Sequence, residues 1–134
     1  MNDITLSIKL SKKLKQMGYP QSNTYLKWIR VEEDADKNET DFWELGFADI
    51  NEEGVMSAPT VSELIENMPD CILENDNIYD LTIIKVNENY WVAYNKGALS
   101  ALISFDGSSL MECLGHLWVW CKENGYKKGD INEK

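Results

Sequence analysis

Histidine occurs once in this chain and cysteine three times, with no Cys-x-x-Cys pair. These shortages exclude a disulfide framework and a zinc ribbon; a closed zinc site would need all three cysteines and the histidine together, yet Cys121 lies two helical turns beyond Cys113 and Cys71 is far off in sequence. Long apolar runs are missing too. No stretch approaches the roughly 20 apolar residues of a membrane span. The opening MNDITLSIKLSKKLKQMG holds no apolar run of signal-peptide length. The expectation is a cytoplasmic chain whose thiols stay reduced, in which the sequon Asn38-Glu39-Thr40 carries no glycan. Positive charge is scarce: 13 Lys and Arg stand against 23 Asp and Glu, a net charge of −10. A general nucleic-acid binder needs a basic face to neutralise phosphates, so this balance argues against one. It suits a soluble protein, a binder of basic proteins or a mimic of nucleic acid. Walker, G-x-G-x-x-G, G-x-S-x-G and H-E-x-x-H motifs are all absent.

What remains is the composition of a folded globule with five tryptophans and enough chain to bury a core unaided. Leu6, Leu10, Leu14 and Met17 recur at helical spacing, with Thr5 as a cap and Gly18 as the stop. Lys9, Lys12, Lys13 and Lys15 fall off that stripe and form a basic outer face, either solvated or a docking face for an acidic partner. TYLKWIRVE and DFWELGFAD read as strands around the polar loop EDADKNET. In SAPTVSELIENMP, Thr60 and Glu63 form a capping box, Val61, Leu64, Ile65 and Met68 an apolar stripe, and Pro69 a stop. YDLTIIKVN and NYWVAYN, joined through Asn87-Glu88-Asn89, read as a second hairpin. SALISF is a fifth strand, and Asp106-Gly107 the turn after it.

The last helix holds the histidine and two of the cysteines. At about 100° per residue, Leu110, Leu114, Leu117 and Cys121 point one way, flanked by Met111 and Trp118 on one side and by Cys113 and Trp120 on the other. His116 falls on the polar side near Glu112 and Glu123. Ser109 and Glu112 match a second capping box, and Gly125 closes the helix. The cysteines therefore read as small core hydrophobes rather than as ligands or nucleophiles.

Two acidic segments stand out. DADKNETDFWEL places Asp34, Asp36 and Asn38 at the first positions of a calcium loop, but Glu39 replaces its glycine and Leu45 its bidentate glutamate. DCILENDNIYD carries Asp70, Glu74, Asp76 and Asp80 with no basic residue among them. Asp34, Asp36, Glu39, Asp70, Glu74 and Asp76 are the candidate contacts for a basic partner. Trp28, Tyr90, Trp91 and Tyr94 put aromatics on both faces of their strands, which makes them candidates for an interface, including one between two copies of the chain.

Three stretches together, LSKKLKQMGYPQ, APTVSELIENMP and YWVAYN followed by a helix ending LWVWCKENGY, resemble a group of small uncharacterised proteins of phages, prophages and gut bacterial genomes. The resemblance spans most of the chain. It departs before the last helix, where FDGSS replaces an ADT-type start. It implies a mobile-element origin and brings no activity or catalytic residues.

The sequence therefore predicts a single α+β domain over 1–134 with a frayed tail from about 127: an antiparallel sheet of four or five strands packed by about three helices, in the order α-β-β-α-β-β-(β)-α. The expected function is a non-enzymatic interaction protein, a phage or mobile-element accessory factor whose acidic loops meet a basic protein partner or which pairs with itself. It has no cofactor, no catalytic or metal residues, no direct nucleic-acid binding and no membrane. The alternatives are a small enzyme built on Cys113, His116 or acidic loop residues, a ligand-binding protein with an aromatic cleft, and a structural virion component.

Overall fold

In the computed structural model, residues 6–21, 24–31, 42–47, 54–97 and 100–126 are described. The acidic loop with Asp34, Asp36 and Glu39, the proposed cap Thr5 and the tail from 127 lie outside them. The described elements are α1 (Ile8–Gln16), β1 (Lys27–Val31), β2 (Phe42–Gly46), β3 (Val55–Ser57), α2 (Val61–Glu66), β4 (Cys71–Glu74), β5 (Asn77–Val86), β6 (Asn89–Lys96), β7 (Ser100–Gly107) and α3 (Leu110–Glu123). The class is α+β, as expected.

All the strand pairings are antiparallel, but the strands divide between two sheets, β2-β1-β3 and β4-β5-β6-β7. The expected hairpins are present: β1 pairs with β2, and β5 pairs with β6 through a two-residue turn in which Asn87 takes a positive φ of 59°. The short strands β3 and β4 were not evident in the sequence. β4 joins β5 through Asn75-Asp76, both left-handed (φ 51° and 67°), as a type I′ hairpin requires. Asp106 and Gly107 extend β7 instead of turning, since both still pair with β6.

Local chemistry sets the helix ends. Thr60 and Glu63 cap α2 reciprocally, as their spacing implies. α1 starts at Ser7, whose Oγ accepts from Leu10 N. α1 and α3 end alike: Gly18 and Gly125 adopt φ of 95° and 81°, and the amides of Tyr19 and Tyr126 donate back to the carbonyls of Leu14 and Cys121 at 2.9 Å. This is the Schellman closure, which favours glycine at the left-handed position.

α3 is the centre of the molecule. The sheet face bearing Tyr79, Leu81, Val92, Tyr94, Ile103 and Phe105 shares one core with Leu10 and Leu14 of α1, Leu64 of α2 and the flanking Leu6 and Met68. The buried arc of α3 is accordingly wider than the wheel implied. Gly115 and Val119 are buried on its second side, where Leu6 and Leu10 come so close that a Cβ on Gly115 would sit 2.7 Å from each. Glu112 does not complete a capping box with Ser109. Ser109 Oγ accepts from Glu112 N, but the Glu112 carboxylate accepts from Ser7 N (2.9 Å) and Ser7 Oγ (3.1 Å). The unpaired amides and positive dipole end of α1 compete better for that carboxylate than its own backbone does.

Candidate functional site: an apolar hairpin with acidic flanks

The outer face of the four-stranded sheet, away from the helices, follows from the register. Trp91 of β6 lies between Ile84 of β5 and Asp106 of β7, and Ala93 lies between Thr82 and Ser104. Leu73 and Ile78 pair on the same face. Ile78 and Val86 are each 57% exposed, and Ile84 is also exposed. On the helix side Ile83, opposite the buried Val92, is exposed as well. Branched apolar side chains thus reach solvent on both faces of one hairpin, a placement that folding alone does not reward.

At this tip Ile84, Val86, Asn87, Asn89, Tyr90, Trp91 and Asp106 line a cleft of about 420 Å³. Trp91 forms its aromatic wall and Asp106 its carboxylate. Glu88 in the turn and Asp106 on β7 are both exposed at this end of the sheet, whereas Asp80 lies toward the other end of β5, opposite Cys71. Lys85, between Ile84 and Val86 in sequence, places its Nζ 5.6 Å from the Tyr90 ring centroid. The cleft can take an apolar group against Trp91 and a cationic group against Asp106.

The residues singled out in the sequence separate in space. Tyr94 is fully buried, and its hydroxyl donates to the Pro69 carbonyl at 2.7 Å. It belongs to the core and to no surface. Trp28 is half-buried, with Nε1 donating to the Leu6 carbonyl at 3.1 Å, so it ties β1 to the start of α1. Tyr90 and Trp91 alone come together at the hairpin. Asp70, Glu74 and Asp76 gather around the short β4–β5 hairpin, away from the cleft. Asp70 and Asp76 are exposed, whereas Glu74 accepts from the Tyr126 hydroxyl at 2.6 Å. That hydrogen bond, with some burial, pushes the Tyr126 phenol up to about 12.

Sequence reasoning missed the exposed Ile78, Ile84 and Val86, because a run such as LTIIKV reads as a core strand. It also missed Tyr25 and Phe47, each 69% exposed and packed edge-to-face at 5.3 Å.

Cys113 and His116 do not form a reactive pair. Cys113 is buried and its thiol is pushed up, first by burial and then by Asp106 and Glu112. His116 is exposed and stacks on Phe105 at 5.8 Å. Burial pushes Cys121, hydrogen-bonded to Tyr94, up to about 12. These thiols are held as thiols, the wrong state for a nucleophile or metal ligand. Among the described residues no three His, Cys, Asp or Glu side chains are placed to share a metal ion, and no helix is long and apolar enough to cross a membrane.

The arrangement defines an α+β protein with two antiparallel sheets, one of them ending in an apolar hairpin between carboxylates. No family model matches the chain, no curated protein is significantly similar to it, and no solved structure matches its fold.

Proposed function

We propose that this is a non-enzymatic interaction protein, an accessory factor of the phage and mobile-element kind its sequence resembles, which holds a basic protein partner on the β5–β6 hairpin. The observation that carries this reading is the exposure of Ile84 and Val86 beside the Trp91 cleft, with Glu88 in the hairpin turn and Asp106 in the cleft wall. Apolar contact at the centre supplies affinity, and the carboxylates select positive charge and speed encounter. Relative to the sequence-based expectation, the contact moves from the β4 acids to the hairpin.

The test is capture of partners from a host lysate by the tagged chain at low and high salt, alongside Val86→Lys and His116→Ala chains. The reading expects a basic partner, weakened by salt, lost with Val86→Lys and kept with His116→Ala. Capture unaffected by Val86→Lys would remove the hairpin from the function, and loss with His116→Ala would favour the enzyme alternative. The cleft volume, within the range of small-ligand sites, favours one second reading, an aromatic or aliphatic ligand seated on Trp91. A change in tryptophan fluorescence on titration with small cationic aromatics checks it.

A further inference from the structure

The two edges of the four-stranded sheet are built differently. β4 is four residues long and carries Asp70, Glu74 and Asp76 along or beside it. An antiparallel pairing of β4 with a second β4 centred on Ile72 would set Asp70 opposite Glu74. Such like charges across a pair guard an edge against strand addition. β7 is eight residues long, SALISFDG, with no lysine, no proline and no charge from Ser100 to Phe105. Among the described residues it pairs on one side only, with β6, and no backbone hydrogen bond from a turn or loop reaches its other side.

We propose that β7 is the contact between two copies of this chain, paired antiparallel across a twofold axis at Ser104 to make one eight-stranded sheet. The register is self-complementary. Ile103 and Phe105, both on the helix side and half-buried, meet Phe105 and Ile103 of the second copy. Ser104 meets Ser104 on the outer face, and Asp106 meets Leu102, so no like charges face each other. A chain of net charge −10 repels its own copy across most surfaces, which leaves the uncharged edge as the surface suited to self-association. The helix layer beside β7 is also mixed in charge. His116 stacks on Phe105 and shares a groove with Lys9, Lys13 and Glu112. An incoming copy therefore meets both signs there. A basic partner, by contrast, has no charge to read on Ser100–Phe105.

The experiment is the solution mass of the full chain by sedimentation over a concentration series, against its monomer mass of 15.4 kDa. The proposal expects twice that mass. It also expects Ser104→Lys, which sets two ammonium groups across the axis, to weaken the dimer on the order of tenfold or more. Ser104 is exposed, so circular dichroism of this variant should match the parent. Ser104→Cys in a Cys71→Ser background should oxidise to a covalent dimer, since the two sulfurs meet at the axis. A monomer at every concentration, a dimer indifferent to Ser104→Lys, or a dimer without the cross-link each overturns the β7 contact.

Discussion

Tyr94→Phe separates two roles for an aromatic in the middle of the sheet. If Tyr94 were an interface residue, losing its hydroxyl would alter binding and leave stability alone. The structure gives the opposite: no exposure, a 2.7 Å hydrogen bond to the Pro69 carbonyl, and a hydrogen bond with the Cys121 thiol. Phe fills nearly the same volume, so no large cavity opens. What is lost is the hydrogen bond to the Pro69 carbonyl and the one with the Cys121 thiol, and the Pro69 carbonyl is left unpaired. Leaving a buried polar group unsatisfied costs about 1–3 kcal/mol. At roughly 3–5 °C per kcal/mol for a chain of this size, the melting temperature falls by several degrees. The same residue contributes to pH dependence. Burial, helped by Cys121, raises its phenol well above the ordinary 10.0. Burial also pushes Tyr19 and Cys121 up to about 12. A group whose folded-state pKa is raised stabilises the fold fully below its unfolded value and loses that contribution as pH climbs past it. Stability should therefore hold up to about pH 9, the ordinary thiol value, and fall from pH 9 through 12. Tyr94→Phe should make that fall shallower while lowering stability at pH 7. Urea unfolding at pH 7, 9 and 10.5 reads both effects. A variant as stable as the parent at pH 7, with the same alkaline slope, would refute the placement of Tyr94 in the core.

Two further substitutions test how α3 is held. Glu112→Ala removes the carboxylate that accepts from Ser7 N and Oγ, and part-buried bonds to a charged group imply a loss of about 2 kcal/mol. Urea unfolding measures it, and a loss no larger than that of an exposed glutamate would mean α1 does not depend on the tie. Gly115→Ala gains up to about 1 kcal/mol of helix propensity but pushes a Cβ to 2.7 Å from Leu6 and Leu10, where overpacking costs about 1–3 kcal/mol. The expected result is a lower melting temperature, and a rise would mean α1 is not seated against α3.

The parts of the fold legible in the sequence are those set by neighbours along the chain. The Thr60/Glu63 box, the glycine stops at 18 and 125 and the Asn87 hairpin all came out as their chemistry implies. The misreadings share one cause, a partner distant in sequence. Glu112 has the spacing of a capping box, yet its carboxylate goes to Ser7, 105 positions away. Cys71–Glu74 looked like part of an acidic run because a single side chain there, Ile72, is fully buried. Val119, outside the apolar arc the wheel gives, is buried because α1 lies on that side of α3. The site was less legible than the fold. Periodicity says that Ile83, Ile84 and Val86 belong in a strand, but not that their side chains stay exposed.

The acidic charge then takes on a meaning that composition could not give it. Asp70, Glu74 and Asp76 sit where a bare edge would otherwise recruit strands, and Glu88 and Asp106 lie beside apolar residues that folding leaves uncovered. In the proposed reading the first group works against contact and the second selects for it. The uncharged β7 edge lies between these effects, one strand from Trp91. A twofold axis at Ser104 would put both hairpins on one continuous sheet, with their clefts on the same face. A partner with two basic segments could then engage both at once, and the second contact would form at the effective concentration set by the first. A modest affinity at each cleft would suffice for tight capture.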